Sequence, residues 1–130
     1  MDVNWLAVVA AAASSFLLGG VWYSALFAKA WQSAAGLSDE QAKGGNRALV
    51  FGGSFALALL AAASFAFFLG AEVDATTGAL YGFTAGLCWV SASFGINYLF
   101  ERKNLSLFLI NGGYHTLQFT LIGLILGAWH

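Results

Sequence analysis

The sequence predicts an all-α integral membrane protein, a four-helix bundle made of two antiparallel transmembrane hairpins, and three observations predict it. The chain of 130 residues is 60% hydrophobic and 8% charged, with a mean hydropathy of +0.78, whereas a soluble domain is roughly a quarter charged. Its apolar residues gather into four runs, about 3–27, 48–69, 77–100 and 105–129, each at or above the ~20 residues a helix needs to cross a bilayer. All five basic residues, Lys29, Lys43, Arg47, Arg102 and Lys103, fall in or beside two of the three gaps between those runs. Short cytoplasmic loops hold an excess of Lys and Arg, so these two gaps are expected inside and both termini outside.

The first run has Asp2 and no basic segment before it, and it is longer than the apolar region of a signal peptide, so it reads as a span. Trp5 falls at its outer end and Trp22, Tyr23 and Trp31 towards its inner end, as interfacial aromatic belts require. The cytoplasmic loop, 29–47, contains Ser38-Asp39-Glu40-Gln41, a capping-box arrangement. It fits either a short surface helix between Gly36 and Gly44 or a solvated connector that contains a cap. The second run is almost wholly apolar. The outer turn, about 70–76, carries Glu72 and Asp74, which with Asp2 are the acidic residues expected outside.

The third run starts near Tyr81 at the outer surface and ends near Tyr98 at the inner one. The inner turn, 101–104, is short enough only for an antiparallel helix hairpin. Asn104-Leu105-Ser106 matches a glycosylation sequon, but the expected topology places it inside and against the bilayer, where it is not used. The fourth run ends at Trp129, the third outer aromatic; His130 follows. Cys88 lies within the third run and, as the single cysteine, can form no internal disulfide.

Lipid offers helices no hydrophobic reason to associate, so close backbone approach must supply the packing. Small residues recur at every fourth place: Ala7, Ala11, Ser15 and Gly19; Ser54, Ala58, Ala62, Ala66 and Gly70; Gly82 and Gly86; Gly123 and Gly127. These are expected packing faces, and some also suit contacts between copies. No proline interrupts a span, so discontinuous helices are not signalled, although Gly19-Gly20, Gly52-Gly53 and Gly112-Gly113 are places where a helix could bend.

Two stretches hint at duplication. Gly19, Trp22, Ser24, Ala25 and Phe27 align with Gly86, Trp89, Ser91, Ala92 and Phe94, and Leu49-Val50-Phe51-Gly52-Gly53 resembles Leu109-Ile110-Asn111-Gly112-Gly113. The hairpins would then be parallel repeats about an axis along the membrane normal.

The chemistry is concentrated in the second hairpin. Asn111, His115 and Gln118 follow one another at i, i+4 and i+7 with Tyr114 beside them, on one helix face near mid-bilayer. Threading the hairpin back from its turn sets Trp89 level with His115 and Asn97 level with Asn111, with Ser93, Asn97 and Glu101 stepping by four. The candidate binding residues are therefore Trp89, Asn97, Asn111, Tyr114, His115 and Gln118. Two readings stand: a buried polar pocket or pathway centred on His115, the one ionisable side chain deep in the membrane, or hydrogen bonds across helices that hold the bundle in register. A protonated imidazole at the centre would cost ~2.5 kcal/mol or more, so a neutral ring is expected.

Several classes are disfavoured. The net charge of −1 and the division of positives between two small turns argue against a nucleic-acid partner. There is no paired intramembrane carboxylate, no His-Glu-x-x-His or His-x-x-Glu-His, no Cys-x-x-Cys and no Gly-x-Ser-x-Gly, so no catalytic residues are assigned and an enzyme is not expected. A metal or haem needs more ligands than His115, and His130 lies about 20 Å further along a helix, so neither metal nor cofactor is expected. A ring of charge suited to an ion pore is absent from the spans.

Asn4-Trp5-Leu6-Ala7, Leu18-Gly19-Gly20-Val21-Trp22-Tyr23-Ser24 running on to Lys29-Ala30-Trp31, Tyr98-Leu99-Phe100-Glu101, and Leu109 to His115 followed by Gly123 to Trp129 resemble the small four-helix membrane proteins catalogued as domain of unknown function 1761. The resemblance covers essentially the whole chain. It implies a bacterial cytoplasmic membrane protein and supplies no activity, substrate or cofactor. Members usually carry proline after Trp-Tyr-Ser, where this chain has Ala25, which removes the sequence ground for a kink or inner-surface turn at that place.

The expected function is a non-enzymatic interaction or scaffold protein of the bilayer, self-associating or serving as a subunit of a larger membrane complex. The alternative is a small carrier or conduit for a proton, ion or small amphiphile that uses the polar face. An accessory subunit presenting these groups to a cofactor in a larger complex is a third.

Overall fold

Each long helix begins where an Asn or Asp precedes an apolar run, because that side chain accepts from an amide the first turn would otherwise leave unpaired. The computed structural model describes residues 3–129, with Ala42 and Lys43 described by backbone alone; Asp2, His130 and the Lys43 side chain lie outside the described residues. Asn4 caps α1 (Trp5–Gly20), Asn46 caps α4 (Arg47–Leu69), Asp74 caps α5 (Ala75–Thr84) and Asn104 caps α7 (Leu105–Ala128), each accepting from the amide three residues on. Between α1 and α4 lie α2 (Ala28–Ala35) and α3 (Asp39–Lys43), and α6 (Ala92–Glu101) continues the line of α5. The described residues contain no strand.

Three helical rods, Trp5–Leu26, Arg47–Leu69 and Ala75–Glu101, are long and apolar enough to cross a membrane. Helix α7 is as long, 24 residues, but Asn111, Tyr114, His115 and Gln118 dilute its apolar character. It is also the rod on which α1, α4, α5 and α6 all pack. The polar helix is the one the others pack on, while Leu105, Leu109, Leu117 and Leu124 keep one of its faces outward.

Two rods change winding part-way. Val21–Leu26 and Ala85–Ser91 are π-helical, and after the first the chain bends at Phe27 before α2 begins. A bend therefore occurs just past Ala25 although no proline stands there. The mechanism is the i→i+5 register, in which Phe27 N–H donates to Trp22 O at 2.9 Å. The second π segment lies in the middle of a rod that the sequence reads as uninterrupted. Both overlap the stretches that resemble each other in sequence, yet their tryptophans differ in role: Trp22 bonds to α7, whereas Trp89 faces outward.

In the segment between the first two rods, the Ser38 hydroxyl accepts from Gln41 N–H and the Gln41 side chain accepts from Ser38 N–H, a complete capping box. Helix α2 ends on Gly36, whose φ of 73° is the left-handed value glycine adopts freely. Gln32 Nε2 donates to Asp39 Oδ1 at 2.7 Å, and Asn104 Nδ2 donates to Ala34 O at 3.1 Å, tying the segment to the start of α7.

Two seams of different character hold the rods. Along α1 and α4 the fully buried Ala7, Ala11 and Ala62 belong to one core cluster, flanked by aromatic pairs: Trp5 with Phe67, and Phe16 with Phe51 and Phe55. Along α5 and α7 the backbones touch. A Cβ at Gly78 would collide with the Gly123 carbonyl, one at Gly82 with the Phe119 carbonyl and one at Gly127 with the Asp74 carbonyl; at Gly86 it would come within 2.6 Å of His115 O. Only glycine lets the rods approach so closely.

Candidate functional site

Both π segments deliver side chains to the same stretch of α7. From the first, Trp22 Nε1–H donates to Ile110 O at 2.8 Å, and the Tyr23 hydroxyl donates to Asn111 Oδ1 at 2.6 Å. From the second, Ser91, almost fully buried, donates to Gly112 O at 2.8 Å and lies 3.2 Å from Thr116 Oγ1. Asn111 Nδ2 donates to the Tyr98 hydroxyl at 2.7 Å, so one amide is held between phenols from two other rods. A π turn re-aims the side chains around it, and here it brings partners to a polar helix that needs them.

Further along α7, the Tyr114 hydroxyl donates to Ser15 O at 2.9 Å and its ring lies against Gly19, where a Cβ would sit 3.4 Å from the hydroxyl oxygen. The rings of Tyr23 and Tyr114 meet edge-on with centroids 5.3 Å apart. His115 Nδ1 lies 2.7 Å from Gln118 Oε1; an amide oxygen only accepts, so Nδ1 is the donor in this pair. The imidazole stacks on Phe94 with centroids 4.9 Å apart and planes at 11°. Gln118 is 7% exposed. Ser15 Oγ is fully buried and, among the described residues, is the buried side-chain oxygen without a partner.

The structure thus brings Asn111, Tyr114, His115 and Gln118 together and leaves Trp89 and Asn97 out. Trp89 is 57% exposed and meets Phe68 of α4 edge-on. Asn97 is exposed, as are Ser93 and Glu101, so the line stepping by four is the outer face of its rod. The π turn is the reason: its extra residue rotates the helix face, so Ser91 and Tyr98 reach α7 instead. Trp22, Tyr23, Tyr98 and Ser15 join the site although the sequence reading assigns none of them to it. Trp22, Tyr23 and Tyr98 turn their polar atoms towards α7, whereas Trp5, Tyr81 and Trp129 are exposed near the opposite end. The polar set also ceases to belong to one half of the chain, since the first rod supplies three of its members.

This cluster contains amide, phenol, indole, hydroxyl and imidazole groups and no carboxylate or cation. Among the described residues, no group of three or more His, Cys, Asp or Glu stands close enough to hold a metal ion. Its members pair with one another and with backbone carbonyls, joining α7 to the first and third rods.

Fold and site together define an α-helical membrane protein whose polar groups, drawn from three rods, meet around one helix. The chain belongs to the family described as "Protein of unknown function (DUF1761)", whose model matches residues 6–127. Comparisons with curated proteins and with solved structures returned no match.

Proposed function

We propose that this protein crosses a bacterial cytoplasmic membrane four times, as two antiparallel hairpins with both termini outside, and acts there as a non-enzymatic interaction or scaffold subunit. In this reading α7 is the fourth span. Its polar side chains are tolerable in hydrocarbon only because α1, α5 and α6 enclose them, since each unpaired polar group there would cost several kcal/mol. The pairing of α1 with α4 and of α5 with α7, each meeting start to end, supports the hairpin topology. The five basic residues support the orientation.

The observation that carries the scaffold reading is the internal pairing of the polar cluster. Asn111 uses both ends of its amide, Tyr114 and Trp22 bond to backbone carbonyls, and His115 bonds to Gln118, so the groups a conduit would offer to a passing ion already bind one another. The conduit reading draws support from the convergence of two π segments, since such turns often mark functional sites. One substitution separates the two. His115→Phe preserves the stack on Phe94 and removes the imidazole; a scaffold keeps its fold and oligomeric state in mild detergent, and a conduit loses pH-dependent flux in proteoliposomes. Flux in the wild type that disappears in this variant would sink the scaffold reading. Thiol labelling of single cysteines at positions 72 and 102, after replacing the exposed Cys88, tests the orientation. Labelling of position 72 from the cytoplasmic side would reverse it.

A further inference from the structure

An open groove runs along α6 and the first turn of α7, and Tyr98, whose hydroxyl reaches the polar cluster, forms part of its lining. Its volume is about 440 Å³, within the range of roughly 300–1,000 Å³ that small-molecule sites occupy. Ala92, Ile96, Leu99, Leu105 and Phe108 make its walls. Gly95 keeps it deep, because the Phe108 ring packs where a side chain would stand: a Cβ there would lie 2.9 Å from Phe108 Cε1. Lys103 and Asn104 form its mouth.

The mouth and the walls differ in chemistry. Arg102, in the left-handed region at φ 58°, turns the chain sharply after α6, and Lys103 follows at the rim of an otherwise apolar slot. Asn104 caps α7 and bonds to Ala34 O, and Lys103 is the charged group at the mouth. From Ala92 to Leu99 the groove follows α6 for about 10 Å, against the roughly 15 Å of hydrocarbon in one leaflet. An apolar slot of that length, closed at the headgroup level by an ammonium, is complementary to a molecule with an acyl chain and an anionic head.

We propose that this groove is a binding site for an anionic glycerophospholipid, one acyl chain lying along Ala92, Ile96 and Leu99 and the phosphate paired with Lys103. The site rests on the four-span reading, which places Lys103 at a headgroup surface; the preference for an anionic head follows from Lys103 whichever leaflet that surface belongs to. Glu101 is exposed at the end of α6, outside the groove lining, and Arg102 adds a second positive charge to the same surface.

Native mass spectrometry of the full chain in mild detergent tests this. Phosphatidylglycerol and phosphatidylcholine with the same acyl chains are added in turn, with glycerol phosphate as the competitor that has a head and no chain. The wild type should retain phosphatidylglycerol in preference to phosphatidylcholine, and Lys103→Gln should reduce that preference about fivefold, as expected for one basic residue near anionic lipid. Ala92→Phe, at an exposed wall position, should reduce retention of both lipids while leaving helix content and oligomeric state unchanged. Equal retention of the two lipids by the wild type, an unchanged preference in Lys103→Gln, or displacement by glycerol phosphate alone would each overturn the proposal. If thiol labelling instead reversed the orientation while the lipid preference survived, the topology would have failed and the site would stand in the other leaflet.

Discussion

Helices α4 and α7 have almost the same length, 23 and 24 residues, and opposite relations to their surroundings. Apart from Arg47 at its start, α4 carries only two hydroxyls as polar side chains, and it exposes Leu49, Val50, Phe51, Leu57, Leu60 and Phe68. Helix α7 carries Asn111, Tyr114, His115 and Gln118 and is the rod that α1, α4, α5 and α6 all contact, with only Leu105, Leu109, Leu117 and Leu124 turned outward as large side chains. Water would demand the reverse. In hydrocarbon an apolar helix loses nothing by facing outward, whereas a polar one must find partners inside, so the polar helix becomes the axis of the bundle. The paired glycines make the same contrast locally. Gly52 and Gly53 have nothing within 4 Å of an added Cβ, whereas Gly112 and Gly113 would meet Ser91 and Trp22 at 3.4 and 3.1 Å. Similar sequence, placed on rods with different neighbours, has a different use.

The largest effect should come from glycine on the α7 side. Gly82→Leu drives a side chain into the Phe119 carbonyl, and backbone facing backbone has no rotamer through which to escape. A loss of about 3 kcal/mol or more is expected, enough to unfold a marginal bundle. Gly52→Leu, on α4, should be silent or slightly stabilising, because it fills open space and improves helix propensity. Thermal unfolding of both variants in detergent, followed by circular dichroism, checks this; equal losses would erase the distinction between the rods.

Next in size is the clamp on Asn111. Asn111→Leu leaves the Tyr23 hydroxyl without its acceptor and the Tyr98 hydroxyl without its donor, at an expected cost of about 1–2 kcal/mol, since membrane hydrogen bonds are individually weak. Asn97→Leu, one turn of sequence logic away but exposed, should cost almost nothing. The same unfolding measurement ranks the two, and a larger loss in Asn97→Leu would mean that the outer face of α6 is covered by another chain.

That pair of asparagines also marks where sequence suffices. Spacing alone puts Asn111, His115 and Gln118 on one face, because α7 is regular and a 3.6-residue period holds along it. Asn97 and Trp89 are matched to α7 by depth alone, which does not say which face of their rod they occupy, and the π turn between Gly86 and Asn97 shifts the face that meets α7. The small residues are legible for a simpler reason: Ala7, Ala11 and Ser15 recur at every fourth place and all are fully buried. Trp22, Tyr23 and Tyr98 are ambiguous in principle, because an aromatic with a polar tip near a helix end suits either the headgroup layer or a partner helix. Only the third dimension, which sets Tyr23 beside a residue 88 positions away, decides between them. Four helix starts were legible and easily overlooked, each an Asn or Asp directly before an apolar run.

The smallest effect separates those caps. Asp74 caps α5 where the glycine seam ends, its carboxylate accepting from Thr77 N–H at 2.8 Å, while α4 begins on the uncharged Asn46. The bond from the Thr77 backbone holds the Asp74 carboxyl below its usual range. A carboxyl with a depressed pKa in the folded state contributes stability that is complete above its ordinary pKa and is lost as pH falls through the folded value. Acid should therefore loosen the α5–α7 seam and spare the start of α4. Asp74→Asn keeps a capping oxygen and removes the titration. At neutral pH the wild type should melt at or slightly above this variant, and the difference should shrink or reverse as the carboxylate range is crossed. The other acidic residues titrate in both proteins and cancel from the comparison. Parallel melting curves throughout that range would show that the charge on Asp74 does not fasten this end of the seam.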